Sequence, residues 1–335
     1  MSRAREIADL GSPAASGLSN RNLIINGAMQ VAQRGTSSSG LGSDTSANFI
    51  VDRTYTNSNS AGRYTASQNT VTDLPGFANS LKLDCTTADT SIAADEYLLL
   101  QHRFEGQNLQ QLKKGTSSAE SVTLSFYVKG NAAATYTAEL YDYDNARTFS
   151  QRFNVTTSWN RISLTYAGDT SGALDDDNAL SLILMVWLHA GSNYTSGTQN
   201  SGWAAYDATT RANSSDTSFF DSTDRTFEIT GVQLEVGDVA TPFEHEDYGT
   251  TLAKCQRYYE QLLNHNGSFN VIATYRAGSD YRAQWLFKTE KRATPTMGGT
   301  FSGSLNATYI STQLASYYRT ADFYGSATLT ADAEL

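Results

Sequence analysis

The chain has 335 residues and a formal charge of −10, with 24 Lys and Arg against 34 Asp and Glu. That balance excludes a basic surface of the kind that grips a nucleic-acid backbone. Nineteen Tyr and 14 Phe among abundant Ser and Thr, with few long helical periodicities, describe short strands joined by polar turns.

Residues 1–20 have no apolar core of the signal-peptide kind. Ile7 and Leu10 could line one edge of a short helix before Gly11-Ser12-Pro13 breaks it, and such a segment orders only against a partner. Leu23 to Gly35 predicts an apolar strand turning at Asn26-Gly27, and Ser/Gly-rich residues 36–47 predict a loop. Strands are then expected at 49–55, 63–67, 80–85, 96–104, 122–129, 136–143, 148–155, 161–166 and 180–188. The last holds the longest apolar run, Leu182 to Leu188, far short of the ~20 residues that span a bilayer. It reads as a strand buried on both faces of a soluble chain made in a cytoplasm, with no membrane insertion. Residues 190–225 form the longest irregular stretch, and long loops inside domains often carry function.

Phe227 to Val236 closes the series as a half-buried strand with a bulge at Gly231. Leu252, Cys255, Tyr258, Tyr259 and Leu262 recur at helical spacing and predict a helix over 250–263. A hairpin around Gly278-Ser279 and strands at 300–310 and 323–330 follow. The fold class is thus mainly β: an antiparallel jelly roll or β-sandwich, then a small α+β C-terminal domain. The divisions fall at 1–21, 22–248 and 249–335. Cys85 and Cys255, one in each folded part, read as small buried hydrophobes.

Several stretches resemble virion structural proteins of marine and cyanobacterial tailed phages, a tail-fibre-like family. They are Ser2 to Leu10, Asn22 to Gly35, Gly231 to Gly237 with Thr241 to His245, Cys255 to Tyr259, Arg292 to Thr296 and Ala331 to Leu335. The match runs in order over nearly the whole length. It departs at Thr54, where the family often has Trp after the Asp-Arg pair, and at Glu246, where it has a basic residue. The resemblance implies a first domain like a carbohydrate-binding-module jelly roll whose opening and closing strands pair. It also implies a virion location, other virion proteins as partners, a homotrimer, and room for a structural calcium between the opening and closing strands. Residues 1–21 become a virion-attachment segment, with Arg3, Arg5, Ile7 and Leu10 as its contact candidates.

Sugar recognition needs flat aromatic faces beside hydrogen-bonding groups. Trp203, Tyr206 and Tyr141 are the candidates for host surface glycan, and Trp203 stands out because no strand surrounds it. Glycosidases need two carboxylates across a cleft. Glu139, Asp142, Asp144 and Asp175 to Asp177 supply carboxylates, yet nothing in the sequence singles out a pair, so a non-enzyme is expected and no cofactor is called for. Oxygen ligands suited to calcium occur at Asp175 to Asp177 and at Glu244 to Asp247, while the four histidines lack zinc-motif spacing, leaving the metal undetermined. The leading expectation is a tail fibre or receptor-binding appendage. The alternative is a purely structural fibre or head-decoration protein.

Overall fold

Alternation of apolar and polar residues along short segments builds two facing sheets in the computed structural model, which describes residues 20–43, 45, 47–263, 272–277, 280–301, 306–319 and 327–335. The first sheet holds β1 (Ser37–Leu41), β4 (Arg63–Thr70), β5 (Asn79–Thr87), β7 (Val122–Gly130), β10 (Asn160–Tyr166) and β13 (Thr226–Val236), in the order β1-β4-β5-β13-β7-β10. The second holds β2 (Asn48–Val51), β3 (Thr54–Asn59), β6 (Tyr97–Glu105), β8 (Ala134–Asp142), β9 (Arg147–Val155), β11 (Leu180–Ala190) and β12 (Ala204–Ala205), in the order β12-β9-β8-β11-β6-β3-β2. Paired strands run antiparallel throughout, so the fold is a jelly-roll sandwich. Leu98, Leu100 and Phe104 of β6 and Leu184 and Val186 of β11 meet Leu124, Phe126 and Val128 of β7 in one core. Each such side chain contributes about 1.5–3 kcal/mol by leaving water.

Gly231 sets the register of the closing strand. It sits at φ +61°, and the β13–β7 pairing shifts between Thr230 and Gln233. Before the bulge the core side chains are Phe227 and Ile229; after it they are Val232 and Leu234. One extra residue therefore keeps the same face buried through a change of phase.

The opening segment differs from expectation. Residues 23–35 form no strand; they form a hook. Asn26 lies at φ +63°, its amide donates to the Val31 and Asp52 carbonyls, and its oxygen accepts from the Gln30 and Val31 amides. One side chain thus claims backbone groups that a ladder would need. Contact with the closing strand survives as two backbone bonds, Leu23 N–H to the Leu234 carbonyl and Val232 N–H to the Gly27 carbonyl, both 2.9 Å. Residues 36–47, expected as a loop, contain β1.

The helix after the sandwich is shorter than its periodicity suggested. It spans Tyr248–Gln256, with the Asp247 carboxylate accepting from the Thr250 amide at 2.9 Å as its N-cap. Residues expected to continue it form strand β14 (Tyr259–Leu263) instead. Tyr258, in the turn before β14, and Tyr259, the first residue of β14, meet different partners: Arg53 lies 3.4 Å from the Tyr258 ring centroid and Arg34 lies 3.6 Å from that of Tyr259. Tertiary contacts override a spacing that fits both periods. β14 joins β20 (Ala327–Asp332) and β17 (Thr296–Phe301), while β15 (Ile272–Ala277), β16 (Asp280–Leu286), β19 (Leu314–Arg319) and β18 (Asn306–Ile310) form a second small sheet. Trp285, Ala315, Tyr317, Leu329 and Ala331 make their core. The helix and these sheets give the small α+β unit. The Gly278-Ser279 turn, Phe323, Tyr324 and residues Arg3, Arg5, Ile7 and Leu10 lie outside the described residues.

Charged side chains seat this unit on the sandwich. Buried Glu105 accepts from Arg257 at 2.7 and 2.9 Å and from the Tyr258 hydroxyl at 2.5 Å. Burial alone would raise the Glu105 pKa, but the Arg257 and Tyr258 bonds outweigh it and hold it below the usual range. Glu334 accepts from Arg53 and Arg34, and Arg34 also reaches Asp332 at 3.3 Å. Cys85 and Cys255 are both free and buried. Among the described residues, no helix is long and apolar enough to cross a membrane.

Candidate functional site

Tyr141, in β8, lies on the outer face of the seven-stranded sheet. Pairing puts it beside Ile183 of β11, with Glu139 beside Met185 and Thr137 beside Trp187. An outward face of this kind would be wet. Here it forms a second apolar cluster, in which Leu99, Ile183, Met185, Trp187 and Ala212 are buried with Tyr97, Tyr141 and Tyr194 against them. Residues 190–225 supply the cover. They hold a four-residue helical turn (Ser192–Thr195), the short β12 and a 3-10 turn (Ala208–Thr210). That cover is why the run Leu182 to Leu188 is buried on both faces, as its composition predicted.

Arg211 pins this excursion to the sheet. Its guanidinium makes a two-pronged pair with Glu139, Nε to Oε1 and Nη2 to Oε2, each 3.0 Å. Its charge lies 4.9 Å from the Trp187 ring centroid, 5.2 Å from that of Tyr206 and 5.4 Å from that of Tyr141. The Trp187 indole N–H donates to Glu139 Oε2 at 2.8 Å. The Glu139 carboxylate is fully buried and shared between these two donors.

Outside this pin stands a patch of tyrosines. Tyr206 is 41% exposed and Tyr143 54% exposed, and both rings flank half-buried Tyr141, with centroids at 5.5 and 6.0 Å. Burial pushes the Tyr141 hydroxyl above its ordinary pKa, with Arg211 pulling the other way. The Tyr141 phenol therefore stays protonated at neutral pH. Flat rings with polar hydroxyls at one surface position can stack on a sugar and bond its hydroxyls.

The structure thus brings Tyr141 and Tyr206 together and sets Trp203 apart. Trp203 faces the other way, packing on Phe149 at 6.1 Å against the sandwich core, with its indole N–H on the Ala167 carbonyl at 2.8 Å. It plugs the sheet edge beside β12. Tyr143 escaped the sequence reading although its signal was present, since positions i and i+2 of a strand share a face. Arg211 carried no local signal; its partner Glu139 is 72 residues away.

Three of the carboxylates considered for hydrolysis have partners within the fold. Glu139 belongs to Arg211. Buried Asp142 accepts from Lys114 Nζ at 2.5 Å and from the Asn145 amide. Asp144 takes the Asp175 amide at 3.0 Å. At the linker, Glu244 accepts the Asn22 amide at 2.8 Å, Glu246 pairs with Lys254, and His245 packs on Phe77 and Phe243.

No protein-family model matches the sequence, and no curated protein matches it. Among solved structures the chain is similar to the enzymatically active domain of bacteriophage CBA120 tailspike protein 4, at 11% identity and TM-score 0.32, covering 64% of this chain and 21% of that one. This chain therefore spans about a fifth of the tailspike domain's length. It is also similar to the family 11 carbohydrate-binding module of Clostridium thermocellum, at 12% identity and TM-score 0.29, covering 62% of this chain and 99% of the module. A third likeness is to TmCBM61, solved with β-1,4-galactotriose, at 9% identity and TM-score 0.31, covering 65% of this chain and 99% of that one. Likeness at this level assigns this chain neither a family nor a ligand.

Proposed function

We propose that the chain is a non-enzymatic virion protein, a tail fibre or receptor-binding appendage that recognises host surface glycan. The observation that carries the binding half is the exposed pair Tyr143 and Tyr206 around Tyr141, on a face otherwise sealed by Arg211. The sealing matters because it fixes the rings before ligand arrives, so little ordering entropy is lost on binding. Binding without hydrolysis is supported by the neighbouring carboxylates Glu139 and Asp142, each held by a cation. In this reading residues 1–21 attach to another virion component, 22–248 bind glycan, and 249–335 support self-association as a homotrimer. Exposed Leu286 and Tyr309 of the C-terminal strands supply apolar surface for that association.

A glycan array probed with the whole chain tests the reading. The Tyr143→Ala/Tyr206→Ala double variant is expected to bind at least about tenfold more weakly, equal to ~1.4 kcal/mol, with unchanged melting. Binding unchanged in that variant, or no glycan bound by the parent chain, overturns it. Release of reducing sugar would make the protein an enzyme. Particles labelled with antibody to residues 22–248 locate it; labelling over the capsid rather than the tail would favour a decoration protein.

A further inference from the structure

Three buried side chains converge at the end of the sheet where the β5–β6 connection meets β11. Asp89 is 7% exposed, Glu96 7% and His189 2%, and one ligand atom from each lies within 4.8 Å of the others. Glu139, Glu105 and Asp142 each have an Arg or Lys partner; among the described residues, no such cation bonds Asp89 or Glu96. Two carboxylates are thus buried together, and a site with that charge calls for a proton or a cation.

His189 indicates which. Its Nδ1 lies 2.8 Å from the Ser218 hydroxyl, while its Nε2 is buried without a hydrogen-bond partner and stands 3.5 Å from Glu96 Oε2. With Nδ1–H donating to Ser218, the Nε2 lone pair points at the carboxylates, the arrangement in which an imidazole ligates a metal. The carboxylates are oriented from behind. Asp89 accepts from the Ser91 amide at 3.1 Å and the Ser60 hydroxyl at 3.3 Å, and Glu96 accepts from the Ala61 and Ala93 amides at 3.0 Å each. A tetrahedral ion with ligands about 2.0–2.2 Å away holds them about 3.3–3.6 Å apart, the separation already present between His189 and Glu96.

We propose that Asp89, Glu96 and His189 bind one divalent transition-metal ion of the zinc type, which staples the β5–β6 connection to β11. One nitrogen and two carboxylates suit zinc better than calcium, which takes six to eight oxygens. Residues 90–95, exposed along their length, link the two carboxylate ligands. The site stands apart from the strand ends at which the phage-protein resemblance would place a calcium.

The test uses the full chain. After loading with zinc and desalting, elemental analysis is expected to find one zinc per chain, and the bound ion to raise the melting temperature by several degrees. Calcium at the same concentration is expected to do neither. His189→Gln and Asp89→Asn should lose the retained zinc and the shift, whereas His245→Ala should keep both. A measurement on the unaltered chain guards against variants that do not fold. With cobalt in place of zinc, one hyperfine-shifted, slowly exchanging imidazole N–H proton is expected, that of His189 Nδ1. No retained zinc, zinc retained equally by His189→Gln, stabilisation by calcium alone, or no shifted imidazole proton would each overturn the assignment.

Discussion

At the β8–β9 end of the seven-stranded sheet, Arg211 lies over three aromatic rings and pairs with Glu139 alone. At the β2–β3 end, Arg53 lies over Tyr258 and Arg34 over Tyr259 and Phe49, and both share Glu334, while Arg34 also takes Asp332. Both ends close an open sheet with guanidinium on aromatic faces, where a planar cation keeps its stacking energy as it desolvates. They differ in multiplicity. One cover has a single buried pair, with half-exposed Arg152 on Asp216 as its second tie, whereas the other rests on a shared network that includes the Glu105–Arg257 pair. A lone buried pair can be exchanged for neutral groups by changing two side chains, whereas a carboxylate serving two arginines needs all three changed together, or a charge is left without its full compensation.

Breaking the network has the largest expected effect. Arg53→Ala leaves Glu334 with half its charge compensation and strips the Tyr258 ring of its cation, a loss of about 3–5 kcal/mol. Arg53 belongs to the sandwich, and both Tyr258 and Glu334 belong to the C-terminal unit. Calorimetry should therefore resolve two transitions in the variant where the parent chain is expected to melt in one. One unshifted transition would mean that the network does not join the two parts.

The single pair gives a smaller effect and a recovery. Arg211→Met should cost ~3 kcal/mol and open residues 191–218 to limited proteolysis. Adding Glu139→Gln keeps an acceptor for the Trp187 indole and removes the stranded charge, so most of the loss should return. The matching pair Arg53→Met/Glu334→Gln should recover nothing, since it also weakens Arg34. Equal recovery at both ends would erase the distinction. Trp203→Ala comes third: a half-buried plug on the other side of the sheet should cost about 2 kcal/mol, below the range for a fully buried ring, and leave glycan binding unchanged.

What was legible in the sequence is what local pattern determines. Strict alternation marked β5, and Gly231 inside an alternating run marked the bulge that rephases β13. The apolar run in β11 announced a strand with both faces covered, without saying by what. What escaped depends on distant partners. Asn26 looks like a turn residue in a strand until its amide is seen holding residues 31 and 52. Tyr259 and Leu262 fit a helix as well as a strand, and Arg34, far upstream, decides between them. Of the glycan candidates, Tyr141 and Tyr206 meet, but their meeting runs through Arg211, which no spacing rule connects to Glu139. The metal cluster draws on residues 89, 96 and 189, which no linear motif could unite.

The smallest expected effect separates the two ends by pH. His102 of β6 is 3% exposed and faces the core beside Phe104, at a ring separation of 4.8 Å, with its Nδ1 unpartnered. Burial, and then the positive charge of Arg53, hold its pKa well below the ordinary value. The imidazole is therefore neutral when folded but takes a proton near pH 6.5 when unfolded. A depressed pKa gives stability that is whole above about 6.5 and falls as pH drops towards the folded value, because the unfolded chain then binds the extra proton. Melting temperature should decline from pH 7 to pH 5, and His102→Leu should flatten part of that decline while fitting an apolar site at little cost. Removing Arg53 should also ease the depression, whereas Arg211→Met/Glu139→Gln should leave the slope alone, since that pair lies on the outer face of the sheet and His102 faces the core. A slope between pH 7 and pH 5 that is the same in His102→Leu as in the parent chain would show that His102 does not set the pH response of this end.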